Sequence, residues 1–178
     1  MEFLFKIKGA LDRVLQTALI LAFASLSICV IWGVVTRYAL NDPAIFTEEV
    51  SRFSVIWLSL LGTAYACGRL EHMAYTMFED KLSPAHLRQH MRAVAAIVLA
   101  FGAVVLVYGG GKLVLRALQV EQLSATLEIP MGYIYACIPI SGIAVVFYQI
   151  LILLAPERFK AFDEVDEAID HIEQELGS

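Results

Sequence analysis

Four long stretches without Asp, Glu, Lys, Arg or His govern what this chain can fold into. Val14 to Thr36 is 23 residues, Phe53 to Gly68 is 16, Ala93 to Gly111 is 19 and Ile129 to Ala155 is 27. A helix needs about 20 residues to cross a hydrocarbon core of about 30 Å. Three stretches meet that length. The second extends backward through Ala44, Ile45, Phe46 and Thr47, so its helix begins near Pro43, with Glu48, Glu49 and Arg52 at the membrane margin. In lipid the backbone must pair within its own segment, which makes helices the default. The reading is an all-α membrane protein with four transmembrane helices at about 14–36, 44–68, 93–115 and 129–155, together a domain over 14–155. The charged fraction of 17% agrees, because a soluble domain carries about 25%.

The flanking charges orient the spans. Nine Lys and Arg fall in the N-terminal segment, the middle connection and the tail, against four in the other two connections. The positive-inside rule then places both termini in the cytoplasm. The first stretch is too long for a cleavable signal core and reads as a retained helix. Ahead of it, residues 1–13 place Phe3, Ile7, Ala10, Leu11 and Val14 on one helical arc. That pattern suits a short amphipathic helix in the membrane interface, or a plain continuation of the first span. Residues 156–178 form a tail with eight acids and two bases. Phe162, Val165, Ile169, Ile172 and Leu176 recur there at helical spacing, as in a cytoplasmic tail helix that is solvated or meets a partner.

The search for chemistry returns no reaction centre. Charges within a span usually mark ion or proton paths, and the four stretches have none. A haem bundle needs axial histidines inside it, yet His72, His86, His90 and His171 all lie outside the spans. His86 and His90 are four apart with no third metal ligand in view. Cys29, Cys67 and Cys137 sit within the apolar stretches and read as small packing residues. No phosphate loop, nucleophile elbow or dinucleotide fingerprint is present. The chain is not expected to be an enzyme or to hold a cofactor. What remains is helix-shaping. Glu48 and Arg52 are spaced for an i, i+4 ion pair. Ser59, Gly62, Thr63 and Ala66 form a small-residue stripe for close helix approach. Pro130 suits a helix start and Pro139 predicts a kink. Gly109-Gly110-Gly111 should weaken the third helix as it leaves the membrane.

Two groups of these residues carry a resemblance. Phe46-Thr47-Glu48-Glu49-Val50-Ser51-Arg52, followed by Trp57, Gly62, Arg69 and His72, resembles one signature of the small membrane subunit of tripartite ATP-independent periplasmic (TRAP) transporters. Ser124, Leu127, Ile129-Pro130, Tyr133 and Ile138-Pro139-Ile140 resemble a second. The likeness covers roughly residues 10 to 155 and leaves out the acidic tail. It implies a bacterial inner-membrane accessory subunit attached to the scaffold of a large permease. The implied system takes up organic acids such as C4-dicarboxylates or sialic acids, delivered by a periplasmic binding protein. Sodium coupling would belong to the large subunit. Expected partners are those two proteins and membrane lipids, with no nucleic acid. An autonomous homo-oligomeric carrier and the membrane anchor of a redox complex are the competing classes. The missing intramembrane charge opposes the first, and the histidine positions oppose the second.

The topology is directly testable. Single cysteines at Asn41 and Gln119 should react in intact cells with a membrane-impermeant thiol reagent, and one at Ser83 should not. Labelling at Ser83 alone would invert the orientation.

Overall fold

The structure is a computed structural model that describes residues 2–40, 42, 44–69 and 84–154. The acidic tail and His72 lie outside these residues, as do the side chains of His86 and His90. Helix α1 spans Glu2–Tyr38 and α2 spans Ile45–Gly68. The third helix is α3, Pro84–Phe101, which widens into a π-helical segment, Gly102–Gly109, and returns to α geometry as α4, Gly110–Gln119. The last comprises α5, Met131–Tyr135, and α6, Cys137–Leu154. Four of the described helical stretches are long and apolar enough to cross a membrane: Lys6–Tyr38, Ile45–Gly68, Arg92–Gln119 and Met131–Leu154.

Several local features follow from individual residues. Pro139 has no N–H, and its ring opposes the carbonyl four residues back. The helix is interrupted at Ala136, between the end of α5 and the start of α6. Pro130 directly precedes α5 instead of occupying its first turn. The glycine triplet does not end the third helix, which continues through it to Gln119. Here the packing overrides the weak helix propensity of glycine: Gly110 is buried against Ile138, where a Cβ would lie 2.6 Å from that side chain.

The helices form a row. α2 packs on α1 along one side and on α6 along the other, and α6 carries α3 and the π segment on its far side. α6 is the most enclosed, burying Ala144, Val145, Tyr148, Leu151 and Ile152 against Leu61, Ala64 and Cys67 of α2 and Ala95 of α3. Glycines set the closest approaches. A Cβ at Gly142 would meet Leu106 Cβ at 2.6 Å, and one at Gly68 would meet the Tyr148 ring at 2.7 Å. Apolar side chains lose nothing by facing lipid, so such backbone-close contacts decide which helices associate.

α1 runs without a break from Glu2 to Tyr38, with no boundary at Arg13. Its first turns are arranged inside out. Ile7 and Val14 are exposed, whereas Lys8 and Asp12 are buried and hydrogen-bonded to each other at 3.0 Å. Asp12 also accepts a hydrogen bond from the buried Tyr148 hydroxyl of α6. This polar tie joins the N-terminal end of α1 to the C-terminal end of α6. At the same end, Arg69 lies over the Tyr65 ring, 5.3 Å from its centroid.

Gly142 and Gly111 make a matched test. Gly142→Ala should lower the melting temperature of the purified protein, since overpacking costs about 1–3 kcal/mol. Gly111 has nothing within 4 Å of an added Cβ. Gly111→Ala should be neutral or raise stability by up to about 1 kcal/mol through helix propensity. Equal behaviour of the two variants in thermal unfolding would refute this account of the α6 contact.

Candidate functional site

The two signature stretches, far apart in sequence, meet in space. The connection from α4 to α5 is a tight loop. Leu123 and Pro130 face each other across it in an isolated antiparallel bridge, the Ser124 N–H donates to the Ile129 carbonyl at 2.9 Å, and the Met131 N–H donates to the Gln122 carbonyl at 2.8 Å. Glu121 and Glu128 hold positive φ values of 50° and 51°. Non-glycine residues adopt that region at a cost of about 1–3 kcal/mol, so the surroundings must hold the turn in place. The loop thereby aims consecutive backbone N–H groups at one point.

Glu49 of α2 occupies that point. Its Oε1 accepts from the Ala125 N–H at 2.9 Å. Its Oε2 accepts from the Thr126 N–H at 3.1 Å and the Leu127 N–H at 2.9 Å. Ser124, buried at the base of the loop, holds its hydroxyl beside the same carboxylate. Charge-assisted bonds to backbone N–H groups are shorter and stronger than neutral ones. One carboxylate therefore satisfies three loop donors and staples the loop to the start of α2.

The other candidate residues divide around this clamp. Glu48 and Arg52 are exposed and form no ion pair with each other, contrary to the expectation from their spacing. An i, i+4 ion pair forms between Lys8 and Asp12 instead, with the base first, the less favourable order, but with both side chains buried. Trp57 is half-buried and lines an open apolar groove of about 330 Å³ with Leu61, Leu127 and Ile129, directly beneath the loop. Gly62 faces Leu19 of α1, with 3.8 Å to an added Cβ. Ser59 and Thr63 of the same stripe are exposed, so α1 covers only part of it. Arg69 caps the far end of α2, and Tyr133 stands exposed on α5. Pro139 breaks the last helix below the loop. Among the described residues no group of three or more His, Cys, Asp or Glu could hold a metal ion.

Sequence reasoning missed Asp12 and Tyr148. The available signal was Lys8 and Asp12 at i, i+4 on the helix face that also carries Leu11 and Leu15. Their inward direction depends on α6, which the local pattern does not contain.

Glu49→Gln should loosen the loop, because an amide nitrogen presents donors to backbone donors. Hydrogen–deuterium exchange at Ala125, Thr126 and Leu127 should quicken several-fold, and Arg52→Gln should leave it unchanged. Unaltered exchange in Glu49→Gln would remove the clamp from consideration.

Comparison with known proteins places this architecture. The family described as tripartite ATP-independent periplasmic transporters, DctQ component, matches residues 26–158. The chain is 28% identical over 151 residues to the sialic acid TRAP transporter small permease protein SiaQ of Vibrio cholerae, covering 84% of this chain and 83% of that protein. It is 26% identical over 168 residues to the ectoine TRAP transporter small permease protein TeaB of Halomonas elongata, covering 90% and 86%. A putative TRAP transporter small permease protein of Haemophilus influenzae is 36% identical over 74 residues, 42% of this chain and 46% of that protein. The match spans three of the four membrane helices, the C-terminal third of the first and both signature stretches, and the chain belongs to the DctQ family, the small permease subunits of tripartite ATP-independent periplasmic transporters.

Proposed function

We propose that this subunit is the stationary companion of a large permease in a sodium-driven uptake system for an organic acid: a C4-dicarboxylate, a sialic acid or another carboxylate. In this reading a soluble periplasmic protein captures the substrate and the large subunit carries it across the inner membrane. Both termini of this chain face the cytoplasm, as its basic residues favour. The Glu49-stapled loop then faces the periplasm, where the binding protein docks.

The open row of helices carries the reading. α1 keeps one flank on α2 and turns the other outward, with Ile20, Phe23 and Ile31 each more than 60% exposed. A row presents a broad, shape-defined wall. Burying part of such a wall against partner helices is how small membrane subunits gain specific association where lipid is as apolar as leucine. Two further facts support it. The central parts of the spans hold no Asp, Glu, Lys, Arg or His with which to bind a coupling ion or a carboxylate. The chain is also about equally similar to a relative named for sialic acid and one named for ectoine. Substrate choice then belongs to the other two subunits.

Reconstitution in liposomes tests this. Permease, binding protein and this subunit together should give uptake driven by an inward sodium gradient. Leaving this subunit out should reduce uptake to the level of liposomes without permease. Substrate flux catalysed by this chain alone would replace the scaffold reading with that of an autonomous carrier.

A further inference from the structure

A second site lies at the end of the α1–α2 hairpin, on the other side of α2's first turn from the clamp. The two helices pack closely at Gly33, where an added Cβ would lie 3.0 Å from Thr47 Oγ1. Around that contact is a cleft of about 370 Å³ between the helices. Its polar lining includes Arg37, Thr47, Glu48 and Ser51, and its apolar lining includes Val30, Val34 and Ile45. Arg37 and Glu48 lie on opposite walls and form no ion pair with each other. The two formal charges of the cleft therefore cancel while each stays available to a ligand.

The depth of the cleft has a direction. Arg37 ends the first uncharged stretch and Glu48 opens the second helix, so both sit where hydrocarbon gives way to water. Tyr38 lines the same rim, a position that suits an interfacial aromatic. From Arg37 the cleft descends α1 to Cys29, about 12 Å at 1.5 Å per residue, over increasingly apolar walls. A ligand for this cleft carries an anion and a cation at the interface and an apolar chain below them.

We infer that the cleft between Arg37 and Glu48 binds a zwitterionic phospholipid with a primary ammonium headgroup, a phosphatidylethanolamine. The guanidinium of Arg37 takes the phosphate, for which its forked donors are suited. The Glu48 carboxylate, with Ser51 beside it, takes the ammonium, and one acyl chain lies along Val30 and Val34. Phosphatidylglycerol brings the phosphate but leaves Glu48 without a cation. Phosphatidylcholine brings a cation that has no N–H to donate. This site stands independently of the proposed transport role and needs only that the chain span a bilayer.

Native mass spectrometry of the full-length protein tests the site. The protein is incubated with equal amounts of phosphatidylethanolamine, phosphatidylglycerol and phosphatidylcholine bearing the same acyl chains. One phosphatidylethanolamine should be retained several-fold over the other two. Glu48→Gln should bring it down to the phosphatidylglycerol level, and Arg37→Gln should weaken retention of all three. Arg116→Gln, on the same side of the molecule but outside the cleft, should leave the preference intact. Both cleft side chains are exposed, so the variants should fold, and unchanged thermal unfolding checks this. Absence of a lipid preference, or a preference that survives both cleft variants, overturns the site. So does displacement of the lipid by soluble glycerophosphoethanolamine, which has no acyl chain. A photo-cross-linking residue at Ile45 adds a second readout in native membranes. Adducts with phospholipid support the assignment, and adducts with another polypeptide mark the cleft as a protein interface and refute it.

Discussion

Hydrocarbon on every side removes the usual reason for apolar side chains to seek one another, and the contacts that hold this helix row are accordingly steric and polar. The steric ones are backbone-close: Gly142 against Leu106, Gly110 against Ile138 and Gly68 against Tyr148. The polar ones stand at the two ends. Asp12 and Tyr148 join α1 to α6 at one end, and Glu49 joins α2 to the α4–α5 loop at the other. Between the ends, one hydroxyl pair, Ser25 with Ser54 at 3.1 Å, links α1 and α2. Each polar tie is short and local, yet together they determine which helix neighbours which.

The sequence was most legible where a single physical rule acts along one segment. Uninterrupted apolar length located the four spans, and Pro139 located the break in the last helix. It was least legible where two segments meet. The i, i+4 rule pointed to Glu48 and Arg52, but an exposed pair of long side chains gains little from a fixed geometry. The neighbouring Glu49 has three backbone donors to satisfy, and backbone N–H groups leave no mark in a list of side chains. The same holds for Lys8 and Asp12, whose direction is set by a tyrosine more than a hundred residues away. The resemblance to a known family did place residues 46–52 and 124–140 on the page as two signatures. Their mutual contact is what the folded chain adds.

Glu48 and Glu49 show how finely the first turn of α2 is divided. Consecutive residues on a helix point about 100° apart, so one carboxylate reaches the loop while the next lines the hairpin cleft. The turn is thus shared by the loop proposed to meet a soluble protein and the cleft proposed to hold a lipid. A change of position in this one turn is felt on both sides of it.

The π segment has a further consequence, for height. A turn closed by i→i+5 bonds is wider than an α turn and climbs less for each residue it contains. The third membrane helix runs from Pro84 through the π segment to Gln119, a longer stretch than the 24 residues of α2. Widening over Gly102–Gly109 shortens this longer stretch along its axis. It acts as a slack take-up: surplus chain is stored as girth.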